Sequence, residues 1–346
     1  MLPEGVQTVV LNPAAPADPL DWEPAGQLLT AAEHCQGRPE PLLRVLSAHP
    51  GIPPVPGTGN TAGLWQWLAT IAAIDLAAAR TIEPHLDAAA ILRQAGHEWP
   101  AGSTWGVYAA EAPHQLLTAE QDGEGTWQLN GTKPWCSLAG NLSRAIVSAH
   151  TAQGRRIFAV RLSDAGVEVQ QGTWHSRGLA HIPSGSVHFT AVPAQPIGAA
   201  GWYLDRPGFA VGAVGVAACW FGGAVGLYRT LFASAQRREP DQLALSWLGE
   251  GHRLLHGAGL ALANAAGPAD AQRLDWADAL TVRGHVAAVC QRLLAMVPEA
   301  TGPGPLVGDD AHARRVADLG IYLRQHHGAR DDAALGGKVL QAGGPW

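Results

Sequence analysis

The chain has 346 residues, with 23 Lys and Arg against 29 Asp and Glu for a net charge of −6. No basic run is long enough to track a phosphate backbone, so nucleic-acid binding is not expected. Apolar residues make up 47% and charged residues 15%, a balance that excludes disorder and, at this length, predicts two or three domains.

The first twenty residues carry Glu4 and several prolines where a secretory leader would have a basic start and an apolar block, which predicts a cytoplasmic protein. From Asp21 to about Gly96 the pattern is helical. Apolar residues recur at three- and four-residue spacing in Leu64 to Ala79 and Leu86 to Leu92, and a Pro/Gly-rich break falls at Gly51 to Gly59. Cys35, Cys136, Cys219 and Cys290 stand far apart with no CxxC pair, so neither a disulfide framework nor a structural zinc is expected.

Near Ser103 the period changes to two. In Trp127 to Lys133 an Asn130-Gly131 pair sits between short apolar runs, which predicts a hairpin. Further strands are predicted at Ala145 to Ala149, Ile157 to Leu162, Val167 to Val169 and Ser186 to Val192.

Past Pro207 the helical period returns through Leu231, Leu243 to Ala263, Trp276 to Met296 and Ala311 to His326, with loops at Pro240, Gly267 and Gly302 to Gly308. Pro207 to Tyr228 carries no charge and has the length of a membrane span. Within Gly208 to Leu227, however, six residues are Gly and five are Ala. Such residues contribute little insertion energy and suit a helix enclosed by other helices, so no membrane partner is expected. The predicted organisation is α+β: a helical domain over 1–102, a β domain over 103–205 and a helical bundle over 206–346.

This order, with local motifs, resembles the acyl-CoA dehydrogenase family of FAD-dependent flavoproteins. The run Leu129-Asn130-Gly131-Thr132-Lys133-Pro134-Trp135-Cys136-Ser137 is similar to the family's "INGxKxWIT" stretch. The resemblance implies that Trp135 packs on the flavin ring and that Ser137 bonds near its N5. On a strand, residues two apart share a face, which would let one side supply both a flat wall and a donor. Val107-Tyr108-Ala109-Ala110-Glu111-Ala112-Pro113 looks like the "xxTEP" strand end, which implies a cofactor role for Tyr108, Ala109 and Ala110. Here Ala110 replaces the hydroxyl residue, and the Gly-Ser loop that follows in the family is missing.

Gln236-Arg237-Arg238 resembles the "ERxxFG" helix end, implying that Arg237 reaches the FAD pyrophosphate of a neighbouring subunit; an arginine fork suits phosphate. Thr301-Gly302-Pro303-Gly304 resembles the "FGGxG" turn, so Gly302 and Gly304 are expected beside the same diphosphate, although Pro298 lies near the place of the family's Gln. Arg315 to Tyr322 looks like the "LxRDxKIY" helix, which in dehydrogenases leads to the catalytic Glu. Here His326 and His327 stand there.

Three functions follow from the resemblance. One is an FAD-dependent dehydrogenase acting on an acyl-CoA or related small molecule, with Glu250 as an alternative base. Another is a flavin monooxygenase that uses His326 or His327, of which a 100° helical step would let only one face the cleft. The last is a binding paralogue without flavin. The resemblance also implies a homodimer or homotetramer. A metal site from His312, Asp318, His326 and His327 lacks the spacing that gathers ligands on one face. Glu83-Pro84-His85 and Trp174 to Arg177 are polar candidates without specific spacing.

Overall fold

The computed structural model describes residues 6–237 and 239–344. Four helices open the chain: α1 (Ala25–His34), α2 (Glu40–Ala48), α3 (Thr61–Ile74) and α4 (Leu76–Gln94). α3 is buried on almost every face, as a helix enclosed by others must be. Asp75 alone separates it from α4. The extended backbone of Asp75 ends the first helix, and its carboxylate caps the second by accepting the N–H groups of Ala77 and Ala78. Pro84 lies inside α4 and has no N–H to offer the Arg80 carbonyl one turn earlier.

Seven strands follow: β1 (Trp105–Tyr108), β2 (Leu117–Gln121), β3 (Trp127–Lys133), β4 (Arg144–Thr151), β5 (Gly154–Arg161), β6 (Val167–Val169) and β7 (Val187–Ile197). The pairings β4–β2, β2–β3, β3–β7, β7–β5 and β5–β4 close a ring. β1 joins it parallel to β4, and β6 pairs with β7. Closure removes most of the free edge that would invite another chain.

The Asn130-Gly131 pair is not the expected hairpin turn. It lies inside β3, where the register against β7 shifts between Leu129 and Gly131. Gly131 has a φ of +114°, and a Cβ there would stand 2.2 Å from the Leu116 carbonyl oxygen, so the bulge admits only glycine. The turn joining β2 to β3 forms instead at Asp122, whose carboxylate accepts the N–H groups of Glu124 and Thr126.

The remaining helices are α5 (Trp202–Asp205), α6 (Gly208–Gln236), α7 (Gln242–Asp270), α8 (Trp276–Thr301), α9 (Gly304–Gly308), α10 (Asp310–Tyr322) and α11 (Ala329–Gln341). The loop expected at Gly267 is absent, because α7 continues through Pro268 to Asp270. Its last turn is anchored from outside: the Asp270 carboxylate accepts the Thr61 hydroxyl at 2.5 Å and the N–H of Gly59 at 2.9 Å.

α6 is long and apolar enough to cross a membrane, yet 78% of its most apolar window is buried, packed by α3, α4, α7, α8 and α10. Small residues permit this closeness. A Cβ on Gly222 would stand 2.1 Å from the Ala69 carbonyl oxygen of α3. Gly222→Ala is therefore expected to push α3 and α6 apart and destabilise the fold by about 3 kcal/mol; a thermal melt unchanged from wild type would contradict this.

Candidate active site

β3 ends at Lys133, so strand alternation does not extend to Trp135 and Ser137, and the expectation that they share a strand face is corrected. Trp135 and Leu138 both take left-handed backbone angles, with φ of +60° and +59°. The Cys136 N–H donates to the Gly185 carbonyl and the Leu138 N–H to the Pro183 carbonyl. This tight path leaves Trp135 54% exposed and buries Ser137.

Ser137 is the centre of a polar network linking the barrel to α4. Arg80 Nη2 donates to its Oγ at 2.9 Å, and the Ser184 Oγ lies 2.7 Å away. Ser184 donates its own proton to the Ile182 carbonyl, so the Ser137 proton goes to Ser184. One lone pair of Ser137 Oγ is then left to accept from a ligand. Tyr108 is buried, and its hydroxyl donates to the Ser137 carbonyl oxygen at 3.0 Å; burial holds that phenol well above its ordinary range. Ala109 is half-buried and Ala110 exposed at the end of β1. The space among Arg80, Pro84, Tyr108 and Ser137 is about 10 Å³.

Behind Ser137, α4 presents a second charged group. Arg80 Nη1 stands 3.9 Å from the Glu83 carboxylate, and the guanidinium lies 5.8 Å from the centre of the Tyr322 ring. Burial pushes the Glu83 carboxyl up to about 7, against a smaller opposing pull from Arg80. The Tyr322 hydroxyl is buried without a hydrogen-bond partner. Arg283 of α8 completes the interior: its guanidinium donates to the carbonyls of Ala213 and Gln325 and sits 4.7 Å above the Trp220 ring.

His326 and His327 are not on a helix. α10 ends at Tyr322, a 3₁₀ turn covers Leu323–Gln325, and His326 is extended at φ −87° and ψ 123°. One ring is nevertheless inside and one outside. The His326 side chain is 8% exposed with Nδ1 3.0 Å from Asp331 Oδ2, whereas the His327 side chain is 64% exposed. The split comes from extended backbone, not from the helical step expected of them.

Other expected residues lie elsewhere. Glu250 is on the outer face of α7, bound through both oxygens to Arg292 at 2.6 and 2.9 Å; that guanidinium, donating hydrogen bonds, holds the carboxyl below its usual range. Glu250→Gln is expected to leave turnover within about twofold of wild type, since an exposed pair contributes little; a hundredfold loss would restore it as a base. Arg237 is exposed just past the end of α6, Gly302 follows α8, and Gly304 begins α9 with open space over both glycines. Arg238 lies outside the described residues. His312 is hydrogen-bonded to Thr230, and Asp318 accepts from Leu179. No group of three or more His, Cys, Asp or Glu among the described residues is placed to hold a metal ion.

Residues 109–192 match the family described as acyl-CoA dehydrogenase, middle domain. The barrel segment is thus similar to that middle domain, and the chain as a whole has the acyl-CoA dehydrogenase fold. It aligns with FMN-bound TdsC from Paenibacillus sp. A11-2 at 18% identity and a TM-score of 0.73, over 93% of this chain and 96% of that one. Butyryl-CoA dehydrogenase from Megasphaera elsdenii aligns at 17% identity and a TM-score of 0.76, over 93% and 100%. A glutaryl-CoA dehydrogenase from Mycobacterium smegmatis in complex with FADH2 aligns at 16% identity and a TM-score of 0.77, over 93% and 95%. No curated protein sequence matches the chain.

Sequence reasoning passed over Arg80, Ser184 and Arg283 and set Glu83 aside. A signal was present. In the Ala-rich run Leu76 to Leu92, the polar residues Arg80, Glu83 and Asp87 recur at three- and four-residue spacing, a charged stripe on a helix otherwise suited to burial.

Proposed function

We propose that the chain is a flavin-dependent oxidoreductase of acyl-CoA dehydrogenase type, which binds FAD against the barrel and oxidises an acyl thioester or related small molecule. The observation that supports this most is the pairing of an exposed Trp135 with a buried, polar Ser137 inside the segment that matches the middle domain. A large indole left 54% exposed beside a strand end offers a flat apolar wall to a ring system. The free lone pair of Ser137 gives that wall one polar contact.

These residues fit an isoalloxazine edge. Trp135 would wall the ring, the main chain of Ala109 and Ala110 would meet its polar edge where Ala110 offers no hydroxyl, and Ser137 would accept a hydrogen bond from a ring N–H, which the reduced ring carries at N5 and the oxidised ring does not. Arg237, Gly302 and Gly304 would serve the diphosphate in a homodimer or homotetramer, where exposed arginine and open glycine backbone suit an anion. When bound, the flavin supplies a two-electron acceptor. Of the chain's own residues, Tyr108 and Arg80 line the space beside Ser137, the first as an apolar wall and the second as its positive charge.

A second reading, a monooxygenase on the same fold, draws support from His326. It is the one member of its pair that points inward, with its Nδ1 3.0 Å from Asp331 Oδ2, and imidazole is the side chain most used to move protons at neutral pH. The absorption spectrum of the purified protein tests both readings. Absorbance near 450 nm, lost when an acyl-CoA is added without oxygen, is expected for the dehydrogenase; colour that needs an added reductase and oxygen for turnover would favour the second. A colourless protein that does not take up added FAD would overturn both and leave a binding paralogue.

A further inference from the structure

Three carboxylates are buried among the described residues: Asp75, Glu83 and Asp318. Asp75 accepts the N–H groups of Gly37, Ala77 and Ala78, and Asp318 accepts that of Leu179. Glu83 has no such partner among the described residues. Its nearest cation, Arg80 Nη1, is 3.9 Å away, beyond hydrogen-bond reach, and the other terminal nitrogen of Arg80 is committed to Ser137. A buried carboxylate without a donor is unfavourable for the fold alone. Its side chain keeps 11% exposure, which leaves a way out for a proton.

The position is as informative as the missing partner. Arg80 and Glu83 are one turn apart on α4, and Arg80 connects Glu83 to Ser137, so the carboxyl lies just behind the residue expected to meet the flavin. The charged and titratable groups that face it come from every element packed around it. They are Arg80 and Asp87 of α4, Arg283 of α8, Cys219 of α6, Tyr322 of α10 and Tyr203 of α5. Other carboxylates near the cleft are engaged: Asp87 with Arg206, Asp331 with His326, and Glu111 with His150 and Arg155.

We propose that Glu83 is the proton-accepting carboxylate of this site. The proposal rests on the flavoprotein reading above and supplies the base that Glu250, on the outer face of α7, does not. The space beside Ser137 is about 10 Å³, so a substrate enters only as Arg80 swings off Ser137, a rotation that a long flexible side chain permits. Glu83 then takes the proton from the carbon next to the thioester carbonyl. The electron pair of that C–H bond becomes the new C=C bond while hydride leaves the adjacent carbon for the oxidised flavin. Protonated Glu83 afterwards releases its proton to water. Its elevated carboxyl matches a base working near neutral pH.

The test compares Glu83→Gln and Glu83→Asp with wild type in the flavin-loaded protein, and adds infrared titration of the flavin-free protein. Glutamine is expected to lower kcat by roughly 10³-fold with KM and the 450 nm absorbance unchanged, and to remove the rise of kcat/KM near pH 7. Aspartate is expected to restore part of the rate. The infrared spectrum of wild type should show one carboxylic C=O band titrating near pH 7 that is absent in the glutamine variant. A yellow Glu83→Gln protein with turnover within threefold of wild type, or a wild-type spectrum with no carboxyl band near pH 7 that the glutamine variant lacks, would overturn the assignment of Glu83 alone; the band of Asp318, held at about 6 by burial, is common to both proteins. A colourless wild type that takes up no FAD would overturn the flavoprotein reading with it.

Discussion

Replacing Glu83 with glutamine is expected to make the protein more stable at pH 8 while removing its turnover. The folded protein holds this carboxyl at about 7, against an ordinary value of 4.5, mainly through burial. Between those two values the folded chain binds more protons than the unfolded one, so wild-type stability falls as pH rises through the window and is level above it. The shift corresponds to at most about 3–4 kcal/mol at pH 8, taking about 1.4 kcal/mol per unit. Glutamine has nearly the same shape and no charge to desolvate. The two proteins should therefore unfold at similar denaturant concentrations near pH 4.5, and the variant should need more at pH 8. A variant less stable than wild type at both pH values would show that Glu83 serves packing or pairing instead.

Arg283→Met is expected to destabilise the protein by about 3 kcal/mol and to release His326 from its buried position. The guanidinium satisfies two carbonyls from different parts of the chain, Ala213 in α6 and Gln325 in the 3₁₀ turn, at 2.6 and 3.2 Å. The Ala213 carbonyl keeps its N–H partner within α6, but the Gln325 carbonyl left unpaired costs about 1–3 kcal/mol, and loss of the contact over Trp220 adds about 1–2 kcal/mol. Relief from burying a charge offsets part of the sum. The Gln325 carbonyl is bonded directly to the His326 nitrogen, so its release should raise hydrogen exchange across residues 323–327. Equal exchange in variant and wild type would mean that Asp331 and Trp220 alone hold the histidine. Arg283→Lys keeps the charge but not the two-pronged geometry, and should fall between the two.

The helices, the strand region and the buried character of α6 were legible because each is written in a period that burial imposes: 3.6 in Leu64 to Ala79, two near Ser103, and a stretch without charge after Pro207. What was not legible depended on contacts distant in sequence. Asn130-Gly131 carries a turn signal, yet the Leu116 carbonyl meets Gly131 closely enough to make the pair a bulge. Trp135 and Ser137 follow an alternating run, yet Gly185 and Pro183 draw the chain into a turn. Gly267-Pro268 looks like a break, yet Thr61 holds Asp270 and keeps the last turn helical. The resemblance led to Ser137, but its partners Arg80 and Ser184 lie 57 and 47 positions away, and local spacing does not report such distances. Glu83 was visible as a charge in an apolar helix, and only the surrounding structure shows that it lacks a donor.

The contact of α3 and α4 with α6 and the self-closing barrel between them also set an order for synthesis. Residues 61–94 are made first and bury their apolar faces against residues 208–236, which leave the ribosome only after all seven strands. The barrel can close from its own pairings. Trp65, Leu68 and Ile71, each 0–3% exposed in the finished protein, must wait on a nascent chain with their partners not yet made. Translation that stalls near residue 205 should therefore leave a folded barrel carrying an unpaired, adhesive pair of helices, the form most prone to aggregate and most in need of a chaperone.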